Sequence, residues 1–294
     1  MSGLVIVGAD GSASSLAAVE TAASEARWRD AGLRIVHAFH WPVARVPLWQ
    51  ALPMPDEGEI RKMTEGLLSE AIERARTVAP SVDVTPAVVM GEPVAVLEAQ
   101  SRAAELVVVG YRGMGGFVGL VVGSTAVNLA AHGRCPVLVV RDQPEPTGPI
   151  VLGVDGSRAG AAAVDFAFAE AAMRGVGVVA LHAWTTWNAP VPPPQDPAEP
   201  YASRPGMLAQ AEERLPAEAL AGRRERYPDV AVELRVVHGA TREALIEASS
   251  AAQLVVVGAR GRGGFAGLLL GSVSQAVLHH AHSPVAVVRQ PAER

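Results

Sequence analysis

The chain has 294 residues, 49% of them apolar and 19% charged, with few aromatics and many small side chains. That is enough for two domains that each bury a core, in the profile of an α/β protein. A formal charge of −5 and a pI near 5.9 speak against a nucleic-acid or membrane partner, because no basic stripe is present to release phosphate counterions. The single cysteine, Cys135, excludes an internal disulfide, the N-terminus enters a strand without a basic leader, and the longest apolar run, near 118–131, is too interrupted to span a bilayer. The sequence is therefore expected to be a soluble cytoplasmic protein.

In chain order, Val/Ile/Leu-rich runs predict a strand at 4–7, a helix at 14–30, a strand at 34–38 and a helix at 57–78. A strand at 82–89, a helix at 93–103, a strand at 106–109, a helix at 125–132 and a strand at 137–140 follow. From Ile150 the same order returns, with helices starting near Arg158, Met207, Thr241 and Val273. Alternating βαβ units with continuous apolar strands imply a parallel sheet covered on both faces, and right-handed crossovers leave few strand orders. The expected fold is two tandem doubly wound five-stranded domains, Rossmann-like, of order 3-2-1-4-5.

The doubling is explicit. "LVIVGADGS" returns as "IVLGVDGS", placing Asp10 and Asp155 145 residues apart, and "IVHAF" returns as "ALHAW", aligning His37 with His182. "VVVGYRGMGGFVGLVVGST" returns as "VVVGARGRGGFAGLLLGSV" at an offset of 148, so three residues are inserted between His182 and Gly239. The proline-bearing "RDQPEPTGP" joins the copies, giving domains at 1–142 and 150–294 with a linker at 143–149.

If the fourth strand lies beside the first, the crevice at their carboxyl ends brings the Asp10 turn to the Gly110 turn. The spacing G-x2-G-x9-G-S occurs twice, as Gly110, Gly113, Gly123, Ser124 and as Gly258, Gly261, Gly271, Ser272. Glycine lets oxygen-rich ligands approach the main chain and frees N–H groups to converge on an anion, and a serine opening a helix adds a hydroxyl and the helix dipole. Arg112 in the first loop, and Arg260 and Arg262 in the second, are the direct positive charges nearby. A tight turn alone would explain one such loop; retention of all four positions while Tyr111 becomes Ala259 and Met114 becomes Arg262 favours a site. With Lys62 the only lysine, a G-x4-G-K-[ST] phosphate loop is excluded, and "GADGS" and "GVDGS" lack the G-x-G-x-x-G of dinucleotide folds.

The tandem copies, with "ADGS" or "VDGS" after strand one, "HA" ending strand two and the doubled glycine motif after strand four, resemble the universal stress protein family. The likeness is to its two-domain actinobacterial members and covers essentially the whole chain. In the nucleotide-binding branch, the resemblance implies ATP in each domain. Asp10 and Asp155 would then face the phosphates or a magnesium ion, Ala38 and Ala183 would present backbone to adenine, and Gly110 and Gly258 would lie against the ribose. Gly113, Gly123, Ser124 and Thr125, and in the second copy Gly261, Gly271, Ser272 and Val273, would hold phosphates. Arg262, standing where the first copy has Met114, leads to the expectation that the second site binds triphosphate more tightly. The strands 137–140 and 285–288 are expected to pair the domains pseudo-symmetrically, with homodimerisation an open further step.

Blander roles stand beside these. Asp10 and Asp155 also suit Asx turns, and His37 and His182 suit satisfied core positions. His279 and His282 are one helical turn apart, but the aligned segment keeps only His132, which argues against a metal site. Cys135 has no activating neighbour in sequence and reads as an inert thiol. The Pro-rich stretch after Trp184 reads as a solvent loop. Two functional classes stay open, a nucleotide-binding stress or signalling module and a slow ATPase or phosphotransferase. Neither Glu nor His recurs at matched loop positions, which favours binding with slow or absent turnover. An adenylating enzyme would carry an S-G-G-x-D-S turn after strand one, and this sequence does not.

Overall fold

Strands with no polar interruption are stable only where both faces are covered, and that requirement organises the chain. A computed structural model describes residues 3–39, 57–113, 122–141, 147–185, 207–262 and 269–290. The chain divides into two compact units, Met1–Asp142 and Gln143–Arg294. The first contains β1 (Leu4–Gly8), α1 (Ala13–Trp28), β2 (Gly32–Phe39), α2 (Glu57–Val78), β3 (Val84–Met90), α3 (Pro93–Gln100), β4 (Leu106–Gly110), α4 (Ser124–His132) and β5 (Val137–Val140). The second contains β6 (Ile150–Gly153), a 3-10 turn (Arg158–Gly160), α5 (Ala161–Arg174), β7 (Val178–Trp184), α6 (Met207–Ala219), α7 (Arg223–Arg226), β8 (Val232–His238), α8 (Thr241–Ala248), β9 (Leu254–Gly258), α9 (Ser272–His280) and β10 (Val285–Val288).

All strand pairs within a unit are parallel, in the order β3-β2-β1-β4-β5 in the first and β8-β7-β6-β9-β10 in the second. This is the doubly wound order expected from the βαβ pattern. The order reverses between β1 and β4, where Val5 pairs with Leu33 on one side and with Leu106 on the other. Val5, Ile6, Val7 and the whole of Leu106–Val109 are buried, as central strands require. In the first unit α1 packs on α2, and α3 on α4; in the second α8 packs on α9.

The outer strands differ in character for the same physical reason. β3 exposes Val88 and Met90 and carries Pro86, whose missing N–H is tolerated on a strand with one neighbour. β8 instead exposes Glu233 and Arg235, which pair at 2.7 Å.

Departures from the sequence pattern are local. The helix expected over 93–103 stops at Gln100 because the buried Ser101 donates its hydroxyl to the Glu98 carbonyl at 2.7 Å and accepts Arg134 N–H at 2.9 Å. Ser249 repeats this in the second unit, bonding the Ile246 carbonyl and accepting His282 N–H. The second helix of the first unit is continuous over Glu57–Val78, whereas its counterpart breaks after Ala219, where Gly222 takes a left-handed φ of 78° and α7 restarts. The three-residue insertion precedes Leu215, because Gly11 faces Leu67 as Gly156 faces Leu215, already at the later offset.

At the end of α1, Asp30 is forced to φ 51°, the position that Gly175 fills after α5 at φ 67°. A left-handed Asp costs about 1–2 kcal/mol, while Gly costs roughly 0.5–1 kcal/mol through the unfolded chain. Asp30→Gly is therefore expected to raise stability by about 0.5 kcal/mol or more in urea denaturation; a loss of stability would mean the carboxylate makes compensating contacts.

Candidate functional site

The β1 and β4 carboxyl ends open a cleft of about 380 Å³ in the first unit. Gly8, Ala9 and Asp10 line it from β1 and its turn, and Val36 and Ala38 from β2; Val109, Gly110, Arg112 and Gly113 enter from β4, and Gly123 to Ala126 from the start of α4. Pro93 and Leu97 of α3 close one wall. Among the predicted first-unit residues, Asp10, Ala38, Gly110, Arg112, Gly113, Gly123, Ser124 and Thr125 thus share one cleft. Residues 114–121, between the two halves of the glycine motif, lie outside the described residues, as do 263–268 in the second unit.

The glycines, identical in pattern, meet three different surroundings. A Cβ on Gly110 would stand 2.6 Å from the Ser14 carbonyl oxygen, so its bareness admits the N-terminus of α1. Cβ atoms on Gly113 and Gly261 would each stand 2.5 Å from a carboxylate oxygen, of Asp10 and Asp155 respectively. On Gly123 and Gly271 the nearest protein atoms are 3.4 Å away, ordinary contact. None of these glycines has a left-handed φ. Among the described residues, neither conformation nor internal packing demands glycine at 123 or 271.

Asp10 forms the Asx turn that its sequence position suits, and it lines the cleft. Its Oδ1 accepts Ser12 N–H at 3.0 Å and the Ser12 hydroxyl at 2.7 Å, an Asx turn, while Oδ2 faces the Gly113 loop. Asp155 accepts Ser157 N–H on Oδ1 and Arg262 N–H on Oδ2, both at 2.9 Å. These turns close one helix end and leave another open. Ser12 caps α1 by accepting Ser15 N–H, whereas α4 and α9 begin at Gly123 and Gly271 with no side-chain cap. Uncapped first-turn amides at the cleft are the natural seat of an anion.

His37 and His182 hold the turns. The Nδ1 of His37 lies 2.8 Å from the Ala9 carbonyl and that of His182 2.7 Å from the Val154 carbonyl, so both rings donate to the residue before the aspartate. The histidines are satisfied structural groups, as read from the sequence. Burial pushes the Cys135 thiol up to about 12, which leaves little thiolate at neutral pH. Among the described residues no group of three or more His, Cys, Asp or Glu side chains is placed to hold a metal, and no helix is long and apolar enough to cross a membrane.

Arginine placement was not legible in the sequence. Tyr111 lies within cation–π distance of two guanidiniums, Arg112 at 5.0 Å and Arg141 at 5.9 Å from its ring centroid. Burial lowers the pKa of Arg141, which the sequence did not single out. In the second unit the Arg262 guanidinium turns to α6, 3.7 Å from Glu212 Oε2, and lies over the Gly156 turn, where a Cβ would be 3.1 Å from it. Expected to add a phosphate contact, Arg262 is engaged by a carboxylate of its own chain.

A family model for the universal stress protein family matches residues 1–141 and again 147–289. The chain belongs to the universal stress protein family. Among curated relatives, universal stress protein Rv1996 of Mycobacterium tuberculosis is 38% identical over 305 residues, covering 98% of this chain and 95% of its own. Universal stress protein Rv2623 of the same organism is 39% identical over 298 residues, covering 97% and 96%. A solved universal stress protein from Archaeoglobus fulgidus shares the fold at a TM-score of 0.69 and 16% identity, over 97% of this chain and 98% of that one.

Within this universal stress protein the carboxyl ends of β2 and β7 also differ between units. The Ala183 carbonyl, expected to face a base, accepts the Thr241 hydroxyl at 3.0 Å. Its first-unit counterpart, Pro93, has no such donor, so Ala38 keeps its backbone for the cleft. Ser272 and Val273 open α9 after Gly271, as Ser124 and Thr125 open α4 after Gly123. A Cβ on Gly258 would stand 3.1 Å from the Arg260 carbonyl oxygen and 3.5 Å from the Gly160 Cα, a looser approach than at Gly110, and Arg260 is exposed.

Proposed function

We propose that the protein is a nucleotide-dependent stress or signalling module that binds one adenine nucleotide, ATP, in each unit, with turnover slow or absent. The observation that carries this is the pair Gly123 and Gly271: bare backbone that neither φ nor packing among the described residues explains, beside uncapped helix amides, with Gly123 lining a cleft of about 380 Å³ in the first unit. That volume lies in the range of small-molecule sites. The apolar wall from Val36, Ala38 and Leu97 suits a base, and the α4 amides with Ser124 and Thr125 suit phosphates.

Magnesium suits the same arrangement, because the Asp10 and Asp155 carboxylates face the Gly113 and Gly261 loops, and Mg²⁺ is commonly held by one or two carboxylates together with substrate phosphates. When bound it would neutralise phosphate charge; Asp10 and Asp155 are the residues that would hold it. Hydrolysis needs a group that orients water, and neither Glu nor His recurs at matched loop positions in the two copies. Denaturing the purified protein and identifying the released nucleotide, together with equilibrium dialysis of ATP, tests the proposal. Two adenine nucleotides per chain are expected at saturation, still largely triphosphate after prolonged incubation. Saturation at none would remove the function, and rapid conversion to diphosphate would make the protein an ATPase.

A further inference from the structure

Glu212 is an unusual residue for α6. It is 2% exposed, and its Oε2 lies 2.5 Å from His182 Nε2 and 3.7 Å from an Arg262 guanidinium nitrogen. The Val154 carbonyl can only accept, so His182 Nδ1 donates to it, and the short Nε2 contact holds a second hydrogen shared with the carboxylate. The ring and the carboxylate are therefore fixed to each other, and to the turn that carries Asp155. Arg262 is pinned at both ends: its N–H donates to Asp155 Oδ2 at 2.9 Å, and its side chain crosses Gly156 to Glu212.

Among the described residues the first unit has no such cluster. With Leu67 and Leu215 occupying the same place against their turns, the position of Glu212 corresponds to Thr64, itself buried, and that of Arg262 to Met114. Acid and base thus appear together in the second copy, where the first has neither. An arginine added to a phosphate loop for affinity needs no buried counter-ion; one that comes with a counter-ion on the far helix is being held.

Resting on the proposal of a nucleotide site in the second unit, we infer that Glu212 is a positioning residue that holds Arg262 on α6, away from the phosphates, and so sets the affinity and phosphate preference of that site. The buried carboxylate competes with nucleotide phosphate for one guanidinium, and His182 keeps it in place to do so. The second site is accordingly not the stronger one; it is restrained relative to what its own loop sequence offers.

The test uses the full chain carrying Gly123→Ala beside Gly113→Ala, so that nucleotide binding reports the second unit. Glu212→Thr, the residue of the first copy, and Glu212→Gln, which keeps shape and hydrogen bonding, are titrated with ATP, ADP and AMP at low and moderate salt. Both are expected to tighten ATP several-fold, ADP less and AMP least, with the gain shrinking as salt rises. Arg262→Met alone is expected to leave ATP affinity within about twofold, and added to Glu212→Thr it should abolish the gain, a coupling that lost α6 packing would not produce. Unchanged affinity in both Glu212 variants, or weaker ATP binding in Arg262→Met alone, overturns the inference while leaving the nucleotide site standing. Absence of ATP binding in every variant and in the parent carrying Gly123→Ala and Gly113→Ala overturns both. Should the Glu212 variants fail to fold, Arg262→Met still decides, because its side chain is partly exposed.

Discussion

Gly123→Ala and Gly271→Ala are each expected to remove one bound nucleotide per chain while leaving resistance to urea unchanged. The new methyl group meets only ordinary protein contacts, the nearest at 3.4 Å, and φ at both positions lies in the common range, −68° and −74°. Stability therefore has no reason to fall. A phosphate seated on the first-turn amides of α4 or α9 would meet that methyl directly, and a tenfold loss, about 1.4 kcal/mol, is the least expected. Gly110→Ala should do the opposite. Its Cβ would collide with the Ser14 main chain, a shift costing about 1–3 kcal/mol whether or not nucleotide is present. Gly113→Ala falls between, since the Asp10 carboxylate must move, which disturbs an Asx turn and the site together. Dialysis against ATP beside urea titrations separates the three. Normal binding by Gly123→Ala and Gly271→Ala would mean that phosphates do not approach there, and the proposed seat would be lost.

That contrast also marks what the sequence could and could not disclose. Strands such as Leu106–Val109 were legible because a doubly covered strand must be apolar throughout, and the order of the sheet followed from handedness. The glycine quartet was legible as a unit because it occurs twice, yet its members looked alike; only coordinates show that Gly110 serves packing, Gly113 faces a carboxylate and Gly123 faces no protein atom closely. Asp10 posed a choice between turn and site, and its Oδ1 forms the turn while its Oδ2 faces the Gly113 loop. The contact of Arg262 was hidden for a different reason. Its partner, Glu212, lies fifty residues earlier on a helix reached across an insertion, and nothing local in "GARGRGG" reports a counter-ion contributed from outside. The Thr241 hydroxyl on the Ala183 carbonyl was hidden likewise, since a helix-starting threonine ordinarily caps its own helix.

The largest stability effect is expected far from the cleft, at the last turn of α5. Glu170 is 1% exposed and Arg174 8%, and they meet at 3.0 Å one helical turn apart; Glu25 and Arg29 form the same buried pair in α1. Arg174 reaches on to the Gln253 side-chain oxygen at 3.1 Å, and the Gln253 amide donates to the Gly148 carbonyl at 2.6 Å, so the pair anchors the segment that leads into β6. An ion pair taken out of water gains little over apolar packing, but one ion left alone there is costly. Glu170→Ala is therefore expected to destabilise the second unit by about 3–5 kcal/mol, because it strands the Arg174 guanidinium. Replacing both, as Glu170→Leu with Arg174→Met, should recover most of that loss, and the residue should equal what the Gln253 contact contributes, about 1.5–3 kcal/mol for a hydrogen bond to a charged group. Urea unfolding of the single, double and Gln253→Ala variants gives the coupling energy directly. If Glu170→Ala and the double variant lose equal stability, the pair is not what makes the acid necessary, and the Gln253 bridge alone ties α5 to the start of β6.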